Sequence, residues 1–196
     1  MYAYLQGKFT YKNPAQVYID VNGVGYEVNI SLNTYAAIEQ LTEGKLFVHL
    51  QVKEDSHTLF GFFDKAEKEM FLLLTSVSGV GAATARMMLS SIRPAEITAA
   101  IVQGNVRLME SIKGIGKKTA ERLVLELKDK IGKQPLPGGN NNVYPAGNTI
   151  EQDALTALTA LGISRTQAEQ SIQKIVRAEP GILKLEDLIK KALKAI

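Results

Sequence analysis

The chain of 196 residues contains no cysteine. A disulfide framework, a thiolate metal site and a cysteine nucleophile are therefore excluded, and the absence fits a reducing compartment. Its two histidines, His49 and His57, have no partner at metal-ligand or triad spacing and are expected to pack on strands or face solvent. Glu67 with Glu69, and Glu186 with Asp187, lack matched partners and read as helix-surface acids, so no carboxylate metal cluster is expected. No Gly-x-x-x-x-Gly-Lys-Ser/Thr occurs, which excludes a nucleotide loop of that type even though Thr119 follows Lys117 and Lys118. No apolar run approaches the roughly 18 residues that suggest a membrane span. The start, Met1 to Lys8, lacks a basic stretch followed by an apolar one. The expectation is a cytoplasmic protein without membrane contact.

What the sequence does have is a repeat. Ser76-Val77-Ser78-Gly79-Val80-Gly81-Ala82-Ala83-Thr84-Ala85 recurs as Ser111-Ile112-Lys113-Gly114-Ile115-Gly116-Lys117-Lys118-Thr119-Ala120, 35 residues later. Each copy is a polar cap, an apolar residue, a Gly-apolar-Gly turn, and Thr-Ala opening an amphipathic helix. Glycines permit positive φ and let backbone NH groups approach a ligand closely. Val80 and Ile115 are placed to plug into the helix pair, while the next helix offers unpaired NH groups and its positive dipole end to an anion. A single Gly-x-Gly turn is explained equally well by helix packing. Duplication in register favours the phosphate reading.

Charge is unevenly placed. The overall +3 divides into −2 over residues 1–63, 0 over 64–106, +4 over 107–134 and +1 over 135–196. The excess sits on the second copy, in Arg107, Lys113, Lys117, Lys118, Arg122, Lys128, Lys130 and Lys133. A solvated helix face screened by Glu121, Glu126 and Asp129 is the alternative; coincidence with the Gly-Ile-Gly turn points to phosphate.

Residues 1–63 read as five short strands, Tyr2–Lys8, Gln16–Val21, Gly25–Ile30, Lys45–Val52 and Thr58–Phe62, with Asn22-Gly23 as a tight hairpin and a helix over Asn33–Leu41. This order fits a small barrel of the OB type. Tyr4, Phe9, Tyr18 and Tyr26 are candidates for base stacking, though most aromatics in so small a barrel are core. Over 64–134 the period becomes helical, with helices at Lys65–Thr75, Thr84–Ser91, Ala95–Gln103, Arg107–Ser111 and Thr119–Ile131. Eleven of the seventeen residues from Gly132 to Asn148 are Gly, Pro or Asn, which predicts a flexible linker over 135–148. Beyond it, Ile150–Leu161, Ser164–Ala178 and Lys184–Ile196 are three amphipathic helices, broken at Gly162 and Pro180-Gly181. They place Leu155, Leu158, Leu161, Leu185, Leu188, Ile189 and Leu193 on an apolar face. The expected fold is multidomain α+β, divided 1–63, 64–134, 135–148 and 149–196.

The duplicated unit resembles the helix-hairpin-helix motif, which implies sequence-independent binding of DNA backbone. The whole chain, in this order and at this length, is similar to the RuvA family of Holliday junction branch migration proteins. The resemblance rests on Tyr4-Leu5-Gln6-Gly7, Gly23-x-Gly25-Tyr26, Glu54-Asp55 with Leu59-Phe60-Gly61-Phe62, Gly79-Val80-Gly81, and Gly114 through Leu123. It extends more loosely to Ala157-Leu158-x-x-Leu161-Gly162 and Leu188 through Leu193. It implies a non-catalytic protein of recombination and repair, a homotetramer or octamer that holds a four-way junction open and planar. DNA contacts would carry over to Gly79, Val80, Gly81, Gly114, Ile115, Gly116, Lys117, Lys118, Thr119 and Arg122. Glu54 and Asp55 would form an acidic pin at the junction centre, although two acids in a β-turn are more often plain solvent-facing residues. The tail at 149–196 would be a ubiquitin-associated-like bundle docking on a hexameric AAA+ motor, and a junction resolvase is a further partner. The resemblance implies no cofactor here, ATP and Mg being used by the motor. Some members carry a lysine after the second glycine of the first hairpin, where this chain has Ala82 and Ala83, so that hairpin is expected to rely on amides alone.

Two other readings stay open. Repair enzymes use the same hairpins, but no catalytic Lys or Asp in a cleft is recognisable. A general single-strand binder would use the barrel face, and a repair-nuclease-associated DNA-binding subunit is a further alternative.

Overall fold

The computed structural model describes residues 2–133, 150–178 and 184–195. The expected linker at 135–148 and the Pro180-Gly181 break lie outside them. The chain divides into two compact units, Met1–Asn140 and Asn141–Ile196.

The first unit begins with strands β1 (Tyr4–Asn13), β2 (Gln16–Val21) and β3 (Val24–Ile30), then helix α1 (Leu32–Ile38), β4 (Glu43–Val52) and β5 (His57–Phe62). They close into a barrel of order β1-β2-β3-β5-β4, with β3 and β5 parallel and the other pairs antiparallel. This is the OB-type barrel expected. Asn22 and Gly23 take φ of 53° and 87°, which lets two residues join β2 to β3. Strand β1 runs five residues beyond its expected end at Lys8, because its first half pairs with β4 and its second with β2. The register shifts between Phe9 and Tyr11, which breaks the alternation that would have extended the strand in the sequence. Leu5, Phe9, Val17, Ile19, Val28, Ile30, Ile38, Leu46 and Val48 fill the barrel.

Helices α2 (Lys65–Thr75), α3 (Ala82–Ser91), α4 (Pro94–Gln103), α5 (Val106–Glu110) and α6 (Lys117–Lys133) follow. Asp64 caps α2, and Pro94 and Gly104 bracket α4 as expected. The helices have their own core, which reaches onto the outside of β5: Phe71 packs against Phe60 and Phe62 at ring separations of 5.1 and 4.9 Å. Burying a side chain of this size contributes roughly 1.5–3 kcal/mol.

Glu67 corrects the sequence reading. It is not a surface acid: it is buried, and both carboxylate oxygens are bonded to hydroxyls of Ser31 and Thr34 at the start of α1.

The second unit is a three-helix bundle of α7 (Ile150–Ala160), α8 (Arg165–Ala178) and α9 (Leu185–Lys194). Ala154, Leu158, Ala168, Ile172, Leu188 and Ala192 form its core, with Leu155 and Ile189 half-buried against it. Leu161 (65% exposed), Leu185 and Leu193, on the same apolar face, form its exposed remainder. Three short helices do not cover the full width of the stripe. Among the described residues no helix is long and apolar enough to cross a membrane.

Candidate nucleic-acid interface

The two repeated turns share one hydrogen-bond plan. In the first, Val80 N donates to Val77 O at 3.0 Å and Ala85 N to Gly81 O at 2.9 Å; in the second, Ile115 N donates to Ile112 O at 3.0 Å and Ala120 N to Gly116 O at 2.9 Å. Ser76 and Ser111 end their preceding helices and bond backward, Oγ to Leu73 O at 2.7 Å and to Leu108 O at 2.8 Å. Val80 and Ile115 are each 5% exposed and anchor the turns in the helical core. Only the first glycine of each turn needs its conformational freedom: Gly79 and Gly114 have φ of 92° and 90°, whereas Gly81 has φ of −80° and Gly116 has no positive φ. A Cβ on Gly81 or Gly116 would meet nothing within 4 Å. Gly81 caps α3 without a side chain, so the first NH groups of that helix receive no side-chain cap from it.

The turns lie side by side. A Cβ built on Gly79 would sit 4.0 Å from the Thr119 hydroxyl. Arg122 Nη1 donates to Ser78 O at 3.4 Å, and Lys130 Nζ donates to Ser76 Oγ at 2.8 Å. Helix α6 thus carries cations to its own turn and to the neighbouring one. Lys117 and Lys118 are exposed and make no ion pair among the described residues; Glu126 reaches Arg122 at 3.8 Å, the one pairing on α6 among the expected screening acids. The sequence places Lys130 only within the general basic excess of residues 107–134, because nothing in the local pattern separates it from Lys128. Its approach to Ser76 is tertiary.

Glu54 and Asp55 are exposed at the tip joining β4 to β5, in a turn closed by Lys53 N to Ser56 O at 2.8 Å. Neither forms an ion pair among the described residues, and Asp55 Oδ1 accepts from Ser56 Oγ at 3.3 Å. Of the aromatics considered for stacking, Phe9 belongs to the barrel core and Tyr26 packs against it, while Tyr4 and Tyr18 are exposed. Lys45 Nζ lies 5.5 Å from the Tyr4 ring centre, and the Tyr18 ring lies 4.9 Å from that of Tyr11, tilted by 41°. His49 packs on Phe71, where burial and then Lys68 hold its imidazole below the ordinary range, and His57 is exposed. No group of three or more His, Asp or Glu among the described residues is placed to hold a metal.

Comparison with known families accounts for most of the chain. Residues 1–61 match the RuvA N terminal domain, 71–129 the SAM-like helix-hairpin-helix tandem, and 149–196 the RuvA C-terminal domain. Curated relatives match end to end. The Holliday junction branch migration complex subunit RuvA of Flavobacterium psychrophilum is 50% identical over 194 residues, 99% of each chain. Those of Cytophaga hutchinsonii and Christiangramia forsetii are each 47% identical, over 99% and 100% of both chains. With a barrel, a tandem of hairpins and a terminal bundle in the order of those families, the chain belongs to the RuvA family.

Proposed function

We propose that this protein binds four-way (Holliday) DNA junctions by structure rather than by sequence, holds them open and planar, and serves as the non-catalytic subunit of a branch migration complex. The observation that carries this reading is the pair of matched turns set side by side, flanked by the exposed cations of α6. Main-chain NH groups and lysines aimed at phosphates grip the backbone of any duplex and read no base edges. Gly79, Val80, Gly81, Gly114, Ile115, Gly116, Lys117, Lys118, Thr119 and Arg122 form this grip, with Val80 and Ile115 acting by fixing the turns.

Discrimination for a junction needs more than a grip. A fourfold assembly, tetramer or octamer, would match the symmetry of a four-armed ligand and bring the Glu54 and Asp55 of every subunit to the centre. There they repel the crossing phosphates and separate strands without forming bonds. The bundle at 149–196 recruits the hexameric AAA+ motor, which supplies ATP and Mg chemistry, and a junction resolvase docks on the same assembly. The test is a mobility-shift titration of an immobile four-way junction, a linear duplex and a single strand of equal length. Tight binding to the junction with weak binding to the other two supports the reading; equal affinity for the single strand supports the barrel-face alternative.

A further inference from the structure

The first unit holds one polar cluster sealed from water. Ser31, Thr34 and Glu67 are 1%, 0% and 3% exposed, and no other polar side chain among the described residues of this unit is so deeply buried. Each hydroxyl is used twice. Ser31 Oγ accepts from Thr34 N at 3.0 Å and donates to Glu67 Oε1. Thr34 Oγ1 accepts from Phe63 N at 3.1 Å and donates to Glu67 Oε2 at 2.6 Å. A hydroxyl has a single proton, so this pair calls for an acceptor with two oxygens, and a carboxylate is the side chain that provides them.

The location gives the cluster a task. Glu67 is the third residue of α2, whose cap Asp64 accepts Glu67 N at 2.7 Å. A glutamate at that position commonly turns back to its own helix start; here it crosses to α1 instead. Strand β5 carries the acidic tip at one end and leads into α2 at the other, and α2 ends at the first phosphate-binding turn. The same segment of the barrel holds α3, through Leu32 N to Ser90 Oγ at 3.1 Å and Asn33 Nδ2 to Leu89 O at 2.5 Å. The aromatic seam of Phe60, Phe62 and Phe71 supplies area but little direction, because apolar contacts tolerate sliding. A carboxylate held between two hydroxyls fixes direction.

We propose that Glu67 is a positioning residue whose carboxylate, held by Ser31 and Thr34, sets the angle at which the barrel presents Glu54 and Asp55 relative to the two gripping turns. The proposal rests on the reading of the protein as a junction binder. Burial raises the Glu67 carboxyl above its ordinary range, against the hydroxyls of Ser31 and Thr34, which lower it. Burying the group therefore costs stability, and orientation is what the cost secures.

The test uses the full chain and Glu67→Gln, with Ser31→Ala as the second variant should the first not fold. Two readouts are combined. In binding, Glu67→Gln keeps linear-duplex affinity within about twofold and lowers the junction-over-duplex preference about tenfold, the scale of one lost hydrogen bond to a charged group. Added to Glu54→Gln with Asp55→Asn, it lowers the preference no further, because both act through the same element. The second readout needs no DNA. The cysteine-free chain accepts spin labels at Ser56→Cys and Lys128→Cys, and Glu67→Gln broadens the distance distribution between them. An unchanged distribution, additive losses, or equal losses on duplex and junction would each overturn the proposal. A parent protein without junction preference would overturn the functional reading instead, while the label distances would still decide the role of Glu67.

Discussion

Arg122, on the helix of the second hairpin, donates to the carbonyl of Ser78 in the turn of the first at 3.4 Å. The contact changes what the missing lysines of the first hairpin mean. Ala82 and Ala83 leave the first turn of α3 without a cation, and Arg86 further along turns to the barrel, but α6 runs past and lends a cation. Each phosphate contact adds about 0.9 to the magnitude of the slope of log-affinity against log-salt on duplex DNA. Arg122→Ala should therefore shallow the slope by about one unit. Lys117→Ala with Lys118→Ala should shallow it by about two, with no change across DNA sequences. Titrations at several salt concentrations measure both, and an unchanged slope would remove these side chains from the phosphate interface.

The two glycines of a turn separate strain from access. Gly114 holds φ of 90°, so Gly114→Ala should destabilise the fold by about 1 kcal/mol and weaken binding as well. Gly116 has ordinary φ and open space around a built Cβ, so Gly116→Ala should keep the melting temperature of the parent. It should nevertheless weaken junction binding, because the added methyl holds the phosphate off the backbone. A Gly116→Ala protein with full affinity would show that the main chain of this turn does not touch DNA.

Much of this site could be read from the sequence because its signals are local. Gly-Val-Gly and Gly-Ile-Gly name their turns, Asn22-Gly23 names its hairpin, and the apolar plugs Val80 and Ile115 follow from the spacing. What stayed hidden depends on residues far apart in the chain. Glu67 resembles any other helix acid until α1 brings Ser31 and Thr34 to it, 36 and 33 residues away. Lys130 is one lysine among several until Ser76 meets it. Leu161 and Leu193 fit the apolar period of their helices, yet a bundle this small leaves them uncovered.

Exposure at the β4–β5 tip makes the acidic pair a clean target. Glu54→Gln with Asp55→Asn should leave thermal stability unchanged, since neither side chain packs on the barrel. Removing the repulsion should tighten binding to linear duplex more than to junction, so the preference narrows. Competition between labelled junction and unlabelled duplex reads this directly; a preference equal to that of the parent would exclude a central acidic pin.

Glu67 should leave a mark on stability against pH. Its folded pKa lies above the ordinary value of 4.5, chiefly through burial. Such a group contributes stability fully below the unfolded value, and that contribution is lost as pH rises through the raised folded value. The parent should therefore lose stability relative to Glu67→Gln as pH increases from about 4.5. His49, lowered by burial and Lys68, titrates in both proteins and cancels in the comparison. Denaturant midpoints across this range test the sign, and a constant difference would mean that Glu67 is not shifted.

Every residue of the barrel and helical cores lies at or before Ile131, and every residue of the bundle core lies at or after Ala154. Each unit has a core of its own among the described residues, so a chain ending at Gln134 should fold, assemble and bind junctions almost as the parent does. It should fail to stimulate ATP-driven branch migration by the motor. A tethered docking domain raises the local concentration of its partner, and cutting the tether removes that gain without altering the DNA grip. Junction binding and migration assays on the same truncated protein separate the possibilities. Retained migration would place the motor contact within the first unit, whereas lost junction binding would make the bundle part of the grip.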